Sequence, residues 1–158
     1  MDDESDLKVK IELYQSIILK LAITYMKNIE SAKDIVQEVF ITYYKIRPTF
    51  QTLQHEKAWF LRVTINKCKN ERRKKFYQWF SLDGNLVSNV SQDNSDLLKA
   101  VWSLDIKYRL PIHLYYYEGY SLKEISAILE VKEATIGTRL KRAKEKLRVI
   151  LGGDYLEE

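Results

Sequence analysis

The chain has 158 residues, 46% of them hydrophobic, with a formal net charge of +4, five glycines, two prolines and one cysteine. That length can bury one core or two small ones, and a single cysteine excludes an internal disulfide. With neither a signal peptide nor an apolar run of about 18 residues, a soluble, cytoplasmic protein is expected.

Apolar residues recur at spacings of three and four along most of the chain, so the fold is expected to be all-α. The first helix is predicted from about Asp6 to Lys27, with Leu7, Ile11, Tyr14, Ile18, Leu21 and Tyr25 at helical spacing. Ser31 is read as the cap of the second, with Asp34 in its positive first turn, and Pro48 as its end. On that helix Ala32, Ile35, Val36, Val39, Phe40 and Tyr43 form a core stripe, which leaves Asp34, Gln37, Glu38 and Ile41 on the other side. An isoleucine among acceptor side chains points to a protein-binding face, although single exposed apolar residues are common.

The third helix, about Glu56 to Tyr77, carries Trp59 as a core anchor, Val63, and a basic stripe from Arg62 to Lys75. Seven cations there face one anion, a net of +6. Arg62, Asn66, Lys67, Asn70, Arg73 and Lys74 lie on its overlapping outward faces. Beyond it, Tyr77, Trp79 and Phe80 are read as packing at a domain edge. The run SLDGNLVSNVSQDNS then loses any sustained apolar face and reads as an interdomain linker. The expected organisation is two small helical domains, residues 1–79 and 96–158, joined by a flexible segment at 80–95.

In the second half, helices are predicted from about Asp96 to Leu104, Ile106 to Glu118, Ser121 to Leu129 and Lys132 to Ile150, with Pro111 bending the second of these. The segment from Tyr117 to Leu147 has the marks of a helix-turn-helix. Gly119 can end one helix in a left-handed conformation, and Ser121 with Glu124 makes a capping box for the next. Ile125, Ile128 and Leu129 give that helix its apolar face, while Glu130 and Val131 make the turn. Ile136, Leu140, Ala143 and Leu147 form the core side of the last helix. Its opposite side holds Ala134, Thr138, Lys141 and Arg142, flanked by Thr135 and Arg139. Small and hydroxylated residues let the backbone approach base edges, and longer cations reach bases or phosphates. A surface helix of an antiparallel bundle is the alternative. A second basic stripe, Lys132 to Arg148, has seven cations against two anions, net +5. Two such stripes suit a polyanion held at two places, and two solvated helix faces are the other reading.

At this point the chain resembles the sigma-70 family, specifically its extracytoplasmic-function (ECF) group. The second half resembles region 4 through Tyr117, Glu118-Gly119, Ser121, Glu124-Ile125, Thr135, Arg139-Leu140 and Arg142-Ala143. The first half resembles region 2 through SAKDIVQEVFITYY, Ser31 to Tyr44, followed in order by Trp59, Leu61, Asn66 and Arg72-Arg73. Two departures stand out: Gly137, where the family often has a basic residue, and Glu130, where the turn often has glycine.

The resemblance implies a three- or four-helix region 2 bundle and a region 4 helix-turn-helix. It implies contact with the -35 element by Lys132, Glu133, Thr135, Thr138, Arg139, Lys141 and Arg142. The -10 element would meet Phe50, Gln51, His55, Arg62, Asn66, Lys67, Asn70 and Arg73, with the loop from Arg47 to Glu56 receiving an unstacked base. Asp34, Gln37, Glu38 and Ile41 would dock on the clamp of the largest subunit of core RNA polymerase, and region 4 on the flap of the second largest. An anti-sigma factor, usually at the membrane, is a further implied partner.

His55 and His113 lie in different predicted domains, and Cys68 reads as a packing residue. Neither a zinc site nor a nucleophile-base pair can be composed from them, and no phosphate-binding glycine loop is present. No cofactor, small-molecule substrate or enzymatic activity is expected. A stand-alone regulator binding duplex DNA without polymerase is the alternative function, and a helical adaptor with incidental basic stripes a third.

Overall fold

The computed structural model describes residues 2–79, with side chains through Lys74, and residues 96–152. The segment expected to be the linker, with Phe80, lies outside the described residues, as do the side chains of Tyr77 and Trp79. The chain divides into two compact units, Met1–Asn89 and Val90–Glu158. The described residues are helical with no strand.

The described residues of the first unit form three helices: α1 (Asp3–Met26), α2 (Ile29–Ile46) and α3 (Leu53–Trp79). Asp2 caps α1 by accepting from Ser5 N at 2.7 Å, which starts the helix three residues earlier than its apolar spacing suggests. The cap of α2 is Asn28, not Ser31: the Asn28 side chain accepts from Ser31 N at 3.0 Å, and Ser31 is buried in the first turn. Two cap-forming residues compete three positions apart, and the first takes the extended conformation a cap requires. Arg47 closes α2 in a left-handed conformation, so the helix stops at Ile46, two residues before Pro48.

The core of this unit is built around Phe60, which is fully buried. Its ring stacks on Tyr14 at 4.4 Å and on Tyr43 at 5.3 Å, with Phe40 at 5.8 Å and Trp59 edge-on at 5.1 Å. Trp59, expected as the anchor, is only half-buried; the position next to it takes that role. One residue is 100° of helix, enough to exchange a central ring for a peripheral one. Cys68 is buried, and burial followed by the charge of Glu71 pushes its thiol up to about 12. The expected inert packing residue is what the fold contains.

The second unit consists of α4 (Asp96–Ser103), α5 (Ile106–Ile112), a π-helical turn (His113–Tyr117), α6 (Leu122–Leu129) and α7 (Glu133–Leu151). The single helix expected from Ile106 to Glu118 thus changes pitch midway. Pro111 has no N–H to give back to the preceding turn. The ladder slips by one residue just after it, and Glu118 N bonds His113 O, five residues back, at 3.0 Å. Arg109, 3% exposed, donates to Leu104 O at 2.5 Å and lies 5.9 Å from the Trp102 ring centre. A buried guanidinium thereby satisfies the Leu104 carbonyl just past the end of α4, a role its sequence neighbourhood did not signal.

Candidate nucleic-acid interface

In the second unit the turn geometry is fixed almost atom by atom. Gly119 takes φ +77, and Tyr120 N then bonds Leu114 O at 2.9 Å. Ser121 Oγ accepts from Glu124 N at 3.1 Å while Glu124 Oε1 accepts from Ser121 N at 2.9 Å, completing the capping box. Ile125, Ile128 and Leu129 are buried. Glu130 then adopts φ 56, the left-handed conformation in which glycine carries no penalty. Ser126 Oγ donates to Val131 O at 2.6 Å and holds the corner from inside. That bond was missed at the sequence level, because a serine two positions before an Ile-Leu pair reads as helix surface.

The turn sets α7 so that Ile136, Leu140, Ala143 and Leu147 are buried and the other side is open. Lys132, Glu133, Ala134, Thr138, Lys141 and Arg142 are exposed, and Thr135 and Arg139 are half-buried. Thr138 Oγ1 donates to Ala134 O at 3.1 Å, which leaves its lone pairs outward as acceptors. Lys132, Arg139, Lys141 and Arg142 form no ion pair among the described residues. Their charge is not neutralised internally and faces solvent on one helix surface.

In the first unit, α3 begins at Leu53, three residues before the expected start. Thr52 Oγ1 accepts from His55 N at 3.1 Å, and Thr52 O from Glu56 N at 3.1 Å. The connection is therefore shorter than the Arg47 to Glu56 loop expected: His55 is exposed on the first helical turn, and Glu56 is buried. Gln51 is exposed. Phe50 is half-buried with its ring edge-on to Trp59 at 5.9 Å. Along α3, Asn66, Asn70 and Arg73 are exposed and Lys67 is half-buried. Arg62 is half-buried too, and its Nε is buried with no hydrogen-bond partner among the described residues. An orphaned guanidinium donor is costly unless something else supplies the acceptor. His55, Trp59, Arg62, Asn66 and Arg73 recur at helical spacing, so rings and cations share one side of α3.

On α2, Asp34, Gln37 and Glu38 are exposed and Ile41 is 51% exposed, opposite the buried stripe. Among the described residues no cluster of His, Cys, Asp or Glu could hold a metal ion, and no helix is long and apolar enough to cross a membrane.

Comparison with known proteins matches both units separately. The family described as Sigma-70 region 2 matches residues 11–76, and that described as Sigma-70, region 4 matches residues 95–147. The ECF RNA polymerase sigma factor SigW of Bacillus subtilis is 29% identical, over 87% of this chain and 84% of its own. The ECF RNA polymerase sigma-E factor of Escherichia coli K12 is 24% identical, over 92% of this chain and 86% of its own. Among solved structures, the sigma factor RpoE of Bartonella quintana, crystallised with the anti-sigma factor NepR, superposes with a TM-score of 0.79 at 25% identity. It covers 94% of this chain and 98% of that one. CnrH, solved with the cytosolic domain of CnrY, shares the fold at 18% identity with a TM-score of 0.67, over 96% of this chain and 90% of that one. With region 2 and region 4 matched in the family's order, the chain belongs to the sigma-70 family of transcription initiation factors, in its ECF group.

Proposed function

We propose that the chain binds core RNA polymerase and directs it to promoters by reading the -35 element with α7 and the -10 element with α3 and the connection before it. The observation that carries this reading is the pair of outward basic surfaces, one in each unit, where Arg62, Lys67 and Arg73 of α3 and Lys132, Arg139, Lys141 and Arg142 at α7 form no ion pair among the described residues. A polyanion supplies what those surfaces lack, and two modest contacts on one DNA reinforce each other through effective concentration.

On α7, Lys132, Glu133, Thr135, Thr138, Arg139, Lys141 and Arg142 form the -35 surface, with the short side chains near the helix start permitting close approach to base edges. On α3, Arg62, Asn66, Lys67, Asn70 and Arg73 follow the backbone of the -10 region, with Phe50, Gln51 and His55 beside a base taken from the stack. Asp34, Gln37, Glu38 and Ile41 form the polymerase-binding face. The factor itself works as a binding protein in the cytoplasm, and catalysis belongs to the polymerase. Both solved structures above contain an anti-sigma factor or a partner's cytosolic domain, and a similar antagonist fits this chain.

Run-off transcription by core polymerase with and without the chain, on a genomic fragment library, tests the reading. Discrete factor-dependent starts support it; tight DNA binding by a chain that does not bind core enzyme would instead make it a stand-alone regulator. Replacing Gln37 and Ile41 together by Ala is expected to weaken core binding while the helical content is kept.

A further inference from the structure

At one end of the first unit, the start of α1, the end of α2 and the start of α3 are tied together by charged and phenolic groups. Glu56, 6% exposed, accepts from Lys10 Nζ at 2.9 Å and from Tyr14 OH at 2.6 Å. One turn earlier on α1, Asp6 accepts from Tyr43 OH at 2.5 Å. Asp3 pairs with Arg47, the residue that opens the connection to α3, at 2.8 Å.

These groups are also the rear ends of the aromatic cluster. Tyr43 meets Trp59 edge-on at 5.9 Å, and Trp59 meets Phe50 at 5.9 Å. A continuous path runs from the Asp6 carboxylate through Tyr43 and Trp59 to Phe50, the ring at the outer end. A second path runs from Glu56 through Tyr14 and Phe60 to the same Trp59. A buried carboxylate is costly unless its oxygens are bonded, and here both oxygens of Glu56 have donors. Packing alone leaves a ring free to slide in its plane, whereas a hydrogen bond at the para position fixes where the ring sits. Burial, and then the bond to Asp6, raise the Tyr43 phenol above its ordinary range, so it stays a donor.

We infer that Asp6 and Glu56 are positioning residues for the Phe50–Trp59 surface, holding it through Tyr43 and Tyr14 in the register that receives an unstacked DNA base. This rests on the reading of that surface as the -10 contact. The test uses the full chain with core polymerase and fork-shaped DNA probes from a promoter recovered by run-off transcription. Each probe carries an abasic site at one unpaired -10 position, and affinity is compared with the intact probe.

If the unmodified chain shows no preference for the intact base at any position, the reading of the surface itself fails. If it shows one, Tyr43→Phe, which removes a single oxygen and keeps the ring, is expected to reduce that preference about five- to tenfold, the net worth of an ordinary hydrogen bond. Glu56→Gln is expected to act in the same direction. In a Phe50→Ala background Tyr43→Phe should add no further loss, because the two then act through one element. A preference undiminished in Tyr43→Phe, with only the melting temperature lowered, would overturn the inference and reduce the network to a bundle clamp.

Discussion

In the first unit the basic face rides on α3, whose start is held by the buried Glu56 bonded to Lys10 and Tyr14 of α1; in the second it rides on α7, whose start is held by one tight turn. The contacts that fix α3 are distant in sequence: Lys10 and Glu56 are 46 residues apart and Tyr14 and Glu56 are 42 apart. The bond at the turn just before α7 is local: Ser126 and Val131 are five residues apart. Local bonds of this kind contribute about 1 kcal/mol each and fail singly. A buried network needs the whole bundle in place and fails together. The first unit should therefore respond to core damage as a block, and the second should lose its turn by degrees.

The largest effect that would sharpen this contrast is Phe60→Ala. The ring touches aromatic residues from α1, α2 and α3, and its removal should cost about 4 kcal/mol by urea denaturation. A cost near 1 kcal/mol would show that the bundle can collapse around the gap and that the ring is no keystone. The Cys68 thiol reports on the same core. Folding raises it from 9.0 to about 12, so the folded state holds its proton over that range while the unfolded chain releases it. Its contribution is full below pH 9 and is lost as pH rises toward 12. Thiol labelling near pH 8 should accordingly follow unfolding, and rapid labelling of the native protein would place the thiol outside the core.

For DNA binding, Arg142→Ala is expected to cost about 1 to 3 kcal/mol, unequally across -35 sequences, if the side chain reads a base. A uniform loss with a shallower salt dependence would make it a phosphate contact.

How much was legible in the sequence follows the same division. The capping box, the left-handed Gly119, the four buried positions of α7 and its open side were all readable, because each is decided within one or two helical turns. The α2 stripe was readable for the same reason. What escaped required knowledge of what lies opposite: that Phe60 and not Trp59 faces α1, and that Glu56 meets Lys10 and Tyr14 rather than solvent. The slip at His113 also escaped, since the sequence shows that Pro111 must disturb the helix but not whether a bend or a wider turn absorbs it. As for function, the proposal that the open side of α7 meets DNA rests on that side's own chemistry. The polymerase face proposed on α2 rests only on the family resemblance, since three polar residues and an isoleucine describe many solvated surfaces.

The smaller effects test whether the second unit is as locally determined as this division holds. Ser121→Ala removes one arm of the capping box and should cost about 1 kcal/mol, read from the thermal transition. A loss above about 3 kcal/mol would mean that the box is coupled to the packing behind it. Gly137→Ala asks the same question with the opposite sign. A Cβ at position 137 meets nothing closer than Leu122 Cδ1 at 4.0 Å, an ordinary contact, and the residue lies within α7. No conformational need for glycine exists there, so alanine should stabilise the unit by up to about 1 kcal/mol through helix propensity. If stability rises and -35 affinity is unchanged, the missing side chain is simply tolerated. If stability rises and affinity falls, the bare backbone at 137 is itself part of the DNA surface, and its lack of a side chain belongs to the recognition chemistry of α7.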